Sequence, residues 1–215
     1  PGHEILGEVT AVGDAVKKFS VGDRVGVGTF VDSCRECEYC TAGRENYCLK
    51  GNVQTYNGRH YDGGETYGGY AQDIVVDENY VLSVSKDLDP AGAAPLLCAG
   101  ITLYSPLKHW QAGPGKRVAI LGLGGLGHMG VKFSVAMGAE TYVLGHSPAK
   151  AADAKEFGAH EYLITSEVSD SHKNFFDLII NTTSADLDVD ALLRMLRVGG
   201  SLVNVGLPGN DQSYN

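Results

Sequence analysis

The chain has 215 residues, room for one large or two small domains, and its 43% hydrophobic and 20% charged residues describe an ordinary globular composition. A net charge of -9 disfavours nucleic acid or an anionic membrane surface as a partner. No apolar run approaches the roughly 20 residues of a membrane span. A reducing, cytoplasmic setting is the expectation. The sequence opens at Pro1 without an initiator methionine and closes at Asn215, and it reads as an internal piece of a longer protein.

The opening PGHE places His3 and Glu4 ahead of a strand, and in isolation they read as a surface pair. Up to about residue 100, short alternating runs are broken by glycine: EILGEVTAVG (4–13), DRVGVGTF (23–30), YAQDIVVD (70–77) and YVLSVS (80–85). Period-two alternation bounded by turn residues predicts a β-rich domain over 1–100. The polar, aromatic and glycine-rich stretch 51–70 is expected to be a long surface loop, with His60 solvated.

Within this half, CRECEYCTAGRENYC gathers Cys34, Cys37, Cys40 and Cys48, four of the five cysteines of the chain. Two disulfides are one reading, but steps of three residues make small rings whose closure stabilises little. They would also leave Cys98 unpaired in a chain too long to need staples. Four thiolates converging on Zn2+ suit that ion's preference for sulfur, and a closed shell of four leaves no open position, so the metal would be structural. A zinc ribbon for nucleic acid would need a basic surround. Here Arg35 and Arg44 face Glu36, Glu38 and Glu45.

From Ala91 the rhythm changes. AGAAPLLCAGITLYSPLKH spaces small and apolar residues as a helix does, and Cys98 within it reads alone as a small core residue. RVAILG (117–122) is a continuous apolar strand of the kind buried in a parallel sheet. It is followed by helix GLGHMGVKFSVAMGA, strand TYVLG (141–145), helix PAKAADAKEFGA (148–159) and strand EYLIT (161–165). Strand FDLIIN (176–181), helix LDVDALLRMLRVGG (187–200) and strand SLVNVG (201–206) complete the series. Five strands alternating with helices predict an α/β domain over 101–215, with a doubly wound parallel sheet and right-handed crossovers.

GLGGLG spans Gly122, Leu123, Gly124, Gly125, Leu126 and Gly127, and fits G-x-G-x-x-G between a buried strand and a helix. In that context the first glycine allows a tight turn and the second a close approach to a pyrophosphate. The third allows helix–strand packing, while the helix N-terminus offers free N–H groups. Sites for NAD usually carry an acid about 20 residues on, against the ribose 2′-hydroxyl. At that point the sequence reads Gly145, His146, Ser147, with Lys150 nearby and no carboxylate. A 2′-phosphate would be welcomed there, so NADP(H) is the expected cofactor.

PGHEILGEVTAVG, GDRVGVG, the CxxCxxCx7C loop, GGYAQ, PLLCAGIT and GLGGLGHMGVKF together resemble the zinc-dependent medium-chain alcohol dehydrogenases, most closely their cinnamyl alcohol dehydrogenase branch. The resemblance runs along essentially the whole chain. It implies a partial GroES-like catalytic domain joined to a partial Rossmann domain. It implies that His3 and Cys98 ligate a catalytic zinc, with Glu4 an alternate or outer ligand, giving two zinc ions per full-length chain. By the same resemblance Thr102, Thr182 and Gly206 line the nicotinamide half of the cofactor site. Trp110 is expected to cap the domain junction. His109 is expected at the surface and His128 at a helix start beside the cofactor. The family's remaining zinc-ligating cysteine, its proton-relay groups and its dimer strand would lie outside these residues, so the piece alone is expected to be inactive. A small primary alcohol or aldehyde is the implied substrate, aromatic ones included, and a homodimer the implied parent. The rival readings are a zinc-free quinone or enoyl reductase of the same superfamily and a non-catalytic dinucleotide-binding protein.

Overall fold

Short glycine-punctuated runs in the first part of the chain extend into short strands, and the continuous apolar runs that follow stack into a single sheet. The computed structural model describes residues 1–168 and 170–207. Two units divide the chain, Pro1–Cys98 and Ala99–Asn215.

In the first unit β1 (Ile5–Glu8) runs antiparallel to β2 (Arg24–Val27), with Ile5 opposite Val27 and Glu8 opposite Arg24. β3 (Phe30–Asp32) leads into the cysteine loop, which contains a single turn of helix, α1 (Glu38–Thr41), and a 3-10 turn, Glu45–Tyr47. β4 (Val53–Gln54) returns antiparallel to β3. A hairpin follows, β5 (Tyr56–Arg59) with β6 (Glu65–Tyr67), and then a 3-10 turn, Glu78–Tyr80. β7 (Leu82–Ser83) pairs with β2. α2 (Pro90–Ala93) is capped by the Asp89 carboxylate, which accepts from Gly92 N. The apolar centre of this unit is small: Val27, Val31 and Val53, flanked by Ile5, Val76 and Val81.

Three expectations are corrected in this unit. Residues 51–70 are not one loop, because β4, β5 and β6 lie within them. Val53 is the buried aliphatic residue of β4, but the next inward positions are threonines: Thr55, at the bend between β4 and β5, donates from Oγ1 to Gly28 O at 2.5 Å, and Thr66 Oγ1 of β6 accepts from Gly58 N at 2.8 Å. A strand whose buried face is satisfied by hydroxyls carries no apolar alternation. Residues 70–77, expected as a strand, form none, and Val75 stands 96% exposed, so alternation there found no pairing partner. His60 is half-buried beside Asp32, with Nδ1 3.4 Å from Oδ2, and is not a freely solvated side chain.

The second unit begins with α3 (Ala99–His109) and then alternates strand and helix: β8 (Arg117–Leu121), α4 (Gly125–Ala136), β9 (Glu140–Gly145), α5 (Ala151–Glu156), β10 (Glu161–Ile164), α6 (Thr165–Val168), β11 (Phe176–Asn181), α7 (Val189–Met195) and β12 (Leu196–Asn204). The five strands form one parallel sheet in the order β10-β9-β8-β11-β12. Successive residues of a strand point to opposite faces. Val118 and Ile120 enter a cluster with Leu103, Leu107, Val131 and Leu178, whereas Ala119 and Leu121 enter another with Leu144, Phe176, Leu192 and Met195. Both faces being covered is why these strands read as unbroken apolar runs. The helix expected to run to residue 200 ends at Met195, and RVGG belongs to β12. Leu196 is drawn into register with Phe176, and the irregularity between Phe176 and Leu178 accommodates the extra residues of β12. Among the described residues, no helix is long and apolar enough to cross a membrane.

Candidate metal and cofactor sites

β3 delivers Cys34, α1 delivers Cys37 as its cap and Cys40 from its middle, and the 3-10 turn delivers Cys48 at its end. The four Sγ atoms lie within 4.8 Å of one another. Cys37 to Cys40 measures 3.4 Å and Cys34 to Cys40 3.8 Å. A disulfide needs about 2.05 Å, whereas Zn–S bonds of about 2.3 Å give a tetrahedron with edges of about 3.8 Å. The donor set and spacing therefore fit zinc, and all four cysteines are unbridged. The turn that makes this possible rests on Arg35, whose φ of 61° is rare for a residue with a side chain. It turns Cys37 N back onto Cys34 Sγ at 3.4 Å, while Cys34 N donates to Cys48 Sγ at 3.4 Å. Backbone N–H groups of Leu49 and Cys40 hold the Cys37 thiol down to about 6, which favours the thiolate a metal needs. Arg35 is held in turn by Asp32 (Nε 3.1 Å and Nη2 2.8 Å to Oδ1) and by Asp77 (Nη1 2.8 Å to Oδ2).

A second junction forms across 95 residues. His3 Nε2 lies 3.0 Å from Cys98 Sγ, and the His3 ring stacks on Tyr56 at 5.8 Å with 12° between planes. Cys98 follows the 3-10 turn Ala94–Leu97. Burial pushes its thiol up, and the nearby Glu4 carboxylate adds to this. Glu4 is exposed and does not converge with the pair. Among the described residues, the cysteine loop is the one group of three or more metal-binding side chains whose ligand atoms converge. An imidazole nitrogen and a thiol at contact distance are a suitable partial donor set for zinc.

In the second unit the glycine turn joins β8 to α4. Gly122 has φ 92°, and a Cβ on Gly127 would sit 2.0 Å from Gly122 O, so neither position admits a side chain. Gly124 and Gly125 are exposed with nothing within 4 Å of a Cβ, an open cradle in front of the N-terminus of α4. Leu123 is buried, and Leu126 packs against the core. Lys150 Nζ donates to Leu123 O at 2.6 Å, which brings the ammonium to the turn. Gly145 is buried against Tyr162, whose hydroxyl donates to Ser147 O at 2.7 Å, and His146 is exposed beside them. The cradle and the absence of a carboxylate between 145 and 150 fit a dinucleotide bearing a 2′-phosphate.

At the carboxyl ends of the neighbouring strands, Thr182 Oγ1 donates to Leu121 O at 2.9 Å, and Gly206 packs so tightly that a Cβ would meet Thr183 O at 1.9 Å. These ends flank the position between β8 and β11 where the strand order reverses, the usual crevice for a ligand. Thr102 is half-buried on α3, His109 and Trp110 are exposed, and His128 packs on Phe157 at 5.9 Å. Sequence reading missed Asn181, 2% exposed, whose Oδ1 accepts from Thr183 N and Oγ1 at 2.9 Å each and whose Nδ2 donates to Asn204. A polar residue closing an apolar strand was the available signal. It also missed Tyr56, which stacks on His3, and Ser33, which contacts Cys40 Sγ and has Tyr80 behind it.

Comparison with known proteins agrees with this layout. Residues 1–86 match the alcohol dehydrogenase GroES-like domain and residues 125–215 the zinc-binding dehydrogenase family. The chain is 57% identical over its full length to probable formaldehyde dehydrogenase AdhA of Bacillus subtilis (strain 168), covering 62% of that protein. It is 58% identical over 97% of its length to NADP-dependent alcohol dehydrogenase C 1 of Mycolicibacterium smegmatis, covering 60% of it. The solved cinnamyl alcohol dehydrogenase SbCAD4 from Sorghum bicolor superimposes with TM-score 0.92 at 45% identity, over 97% of this chain and 60% of that one. The CAD from Helicobacter pylori complexed with NADP(H) gives 0.89 at 45% identity, over 97% and 59%. The chain thus spans about three fifths of the length of these relatives. With two successive domain matches and a four-cysteine loop in the first of them, the chain is similar to the zinc-dependent medium-chain alcohol dehydrogenases along essentially its whole length.

Proposed function

We propose that this protein is an NADP(H)-dependent, zinc-dependent alcohol dehydrogenase or aldehyde reductase acting on primary alcohols and aldehydes, aromatic ones among them. The observation that carries the reading is the contact of His3 Nε2 with Cys98 Sγ at 3.0 Å, since a structural fold has no need of an imidazole and a thiol brought together from opposite ends of one unit. Zinc held by this pair, with Glu4 as an alternate ligand, supplies Lewis acidity to an alcohol or aldehyde oxygen, and NADP(H) supplies hydride chemistry. The Tyr56 ring keeps the His3 imidazole flat against it and so fixes the direction of Nε2. Cys34, Cys37, Cys40 and Cys48 hold a second, structural zinc. The N-terminus of α4, with Gly124 and Gly125 in front of it, receives the pyrophosphate. Lys150 and Ser147, with His146, receive the 2′-phosphate, while Thr102, Thr182 and Gly206 line the nicotinamide side. The reading carries with it a cytoplasmic homodimer.

Metal analysis and NADPH oxidation with a panel of aldehydes test it. The complete protein is expected to hold two zinc ions, and Cys98→Ser to stay folded with the cysteine-loop zinc while turnover is lost. Turnover retained in Cys98→Ser, or a protein active without zinc, overturns the reading. Lys150→Ala should weaken NADPH by about tenfold more than NADH, the scale of one charge-assisted hydrogen bond. Equal loss for both refutes the 2′-phosphate role.

A further inference from the structure

Cys40 is the buried member of the cysteine loop, 8% exposed, whereas Cys34, Cys37 and Cys48 are only half-buried. Behind it sits a polar network that the ligand set does not explain. Cys40 Sγ is 3.2 Å from Ser33 Oγ, and Ser33 Oγ is 2.7 Å from Tyr80 Oη. Ser33 is 1% exposed and Tyr80 7%, so both hydroxyls sit away from solvent and their hydrogen bonds are made inside the protein.

The chemistry of these groups sets a direction. A metal-bound thiolate only accepts hydrogen bonds, and serine and tyrosine hydroxyls carry one hydrogen each. Ser33 must then donate to Cys40 and accept from Tyr80. The Tyr80 ring is itself fixed: Phe30 meets it edge-on at 5.9 Å, and the Arg35 guanidinium lies over it at 5.6 Å. Tyr80 ends the 3-10 turn that Asp77 caps by accepting from Asn79 N, and Asp77 also binds Arg35 of the cysteine loop. The hydroxyl is thus aimed by a turn that the loop holds in place.

We propose that Ser33 and Tyr80 are positioning residues of the cysteine-loop metal site, forming a one-way chain of hydroxyls from Tyr80 through Ser33 to Cys40 that pins this sulfur as the anchored corner of the tetrahedron. The inference rests on the reading of the loop as a zinc site. Groups that hydrogen-bond a ligand in this way typically change metal retention by about 10–100-fold when removed.

The test uses the Cys98→Ser background, in which the cysteine loop is the remaining zinc site, and measures zinc transfer to a chromogenic chelator. Ser33→Ala is expected to release zinc at least about tenfold faster, and Tyr80→Phe, which keeps the ring, several-fold faster. Adding Tyr80→Phe to Ser33→Ala should add little, because the chain is already cut. Ser33→Thr, which restores the hydroxyl, should recover retention. In cobalt-loaded protein the thiolate-to-metal charge-transfer band should shift in Ser33→Ala and Tyr80→Phe, a change that mere loss of packing would not give. Release rates and bands equal to those of the background protein overturn the hydroxyl chain while leaving the zinc site standing. A background protein without bound metal at the loop overturns both.

Discussion

The two units are held together by different means. In Ala99–Asn215 the sheet is covered on both faces, and the largest fully buried side chains, among them Phe176, Leu103, Ile120, Ile179 and Met195, all belong to it. Pro1–Cys98 has three buried valines at its apolar centre, and its order is carried by threonine hydroxyls, the Asp32–Arg35–Asp77 ion pairs and the converging cysteines. An unfolded chain must lose about 1–2 kcal/mol of backbone entropy per residue on ordering. Where apolar burial is thin, metal–ligand bonds supply what a core would. The same polypeptide therefore contains a unit stabilised by sulfur and charge and a unit stabilised by hydrocarbon.

The contrast is broken most forcefully at the metal. Cys37→Ser, or stripping by a chelator, should cost on the order of 10 kcal/mol, the scale of structural zinc sites. Hydrogen exchange should show β3 and β4 losing protection while β8 and β11 keep it; normal protection of the first unit without metal would remove the distinction. Next in size, Phe176→Ala should cost about 3–5 kcal/mol, because a fully buried ring packed edge-on against Tyr142 and Phe175 is removed. Here the loss of protection should fall on β11, with zinc content unchanged. The smallest effect sharpens the comparison by probing charge in the hydrocarbon unit. Burial pushes the Asp177 carboxyl up, but Arg117 N–H at 3.0 Å, with Lys116 and Arg197 at 3.4 and 3.3 Å, outweighs this and holds it below the ordinary aspartate range. A depressed folded-state value means stability that is present at neutral pH and lost as pH falls below about 4. Asp177→Asn should cost about 1 kcal/mol at pH 7, since both cation partners are half-exposed. The gap from wild type should close toward pH 3, and a gap independent of pH would count against the assignment.

How much could be read in advance follows the same division. RVAILG, FDLIIN and the turn GLGGLG announce themselves because burial on both faces and a glycine turn are written in adjacent residues. Cysteine spacing is equally local. The hairpin from Tyr56 to Tyr67 was illegible because its buried residue is Thr66 and the bend leading into it buries Thr55, and the end of α7 was illegible because Leu196 is captured by its register with Phe176. At the sites, the convergence of His3 with Cys98 was reachable only through family resemblance, being 95 residues apart in sequence. Tyr80 behind Ser33 and Asp32 beside His60 lie 47 and 28 residues away and carry no motif. Contacts between distant residues are set by the finished fold, and short-range patterns do not encode them.

The compactness of the cysteine loop has a consequence for the order of events during synthesis. Cys34 and Cys48 are 14 residues apart, while His3 and Cys98 must be joined across 95. Closing the shorter span costs about 1.7 kcal/mol less chain entropy. The nascent polypeptide can load the first ion soon after Cys48 leaves the ribosome, with the Rossmann half still untranslated. On the proposed function, the His3–Cys98 pair would have to wait for the whole first unit, so a cell short of zinc would make protein whose cysteine loop is folded before the second ion is bound.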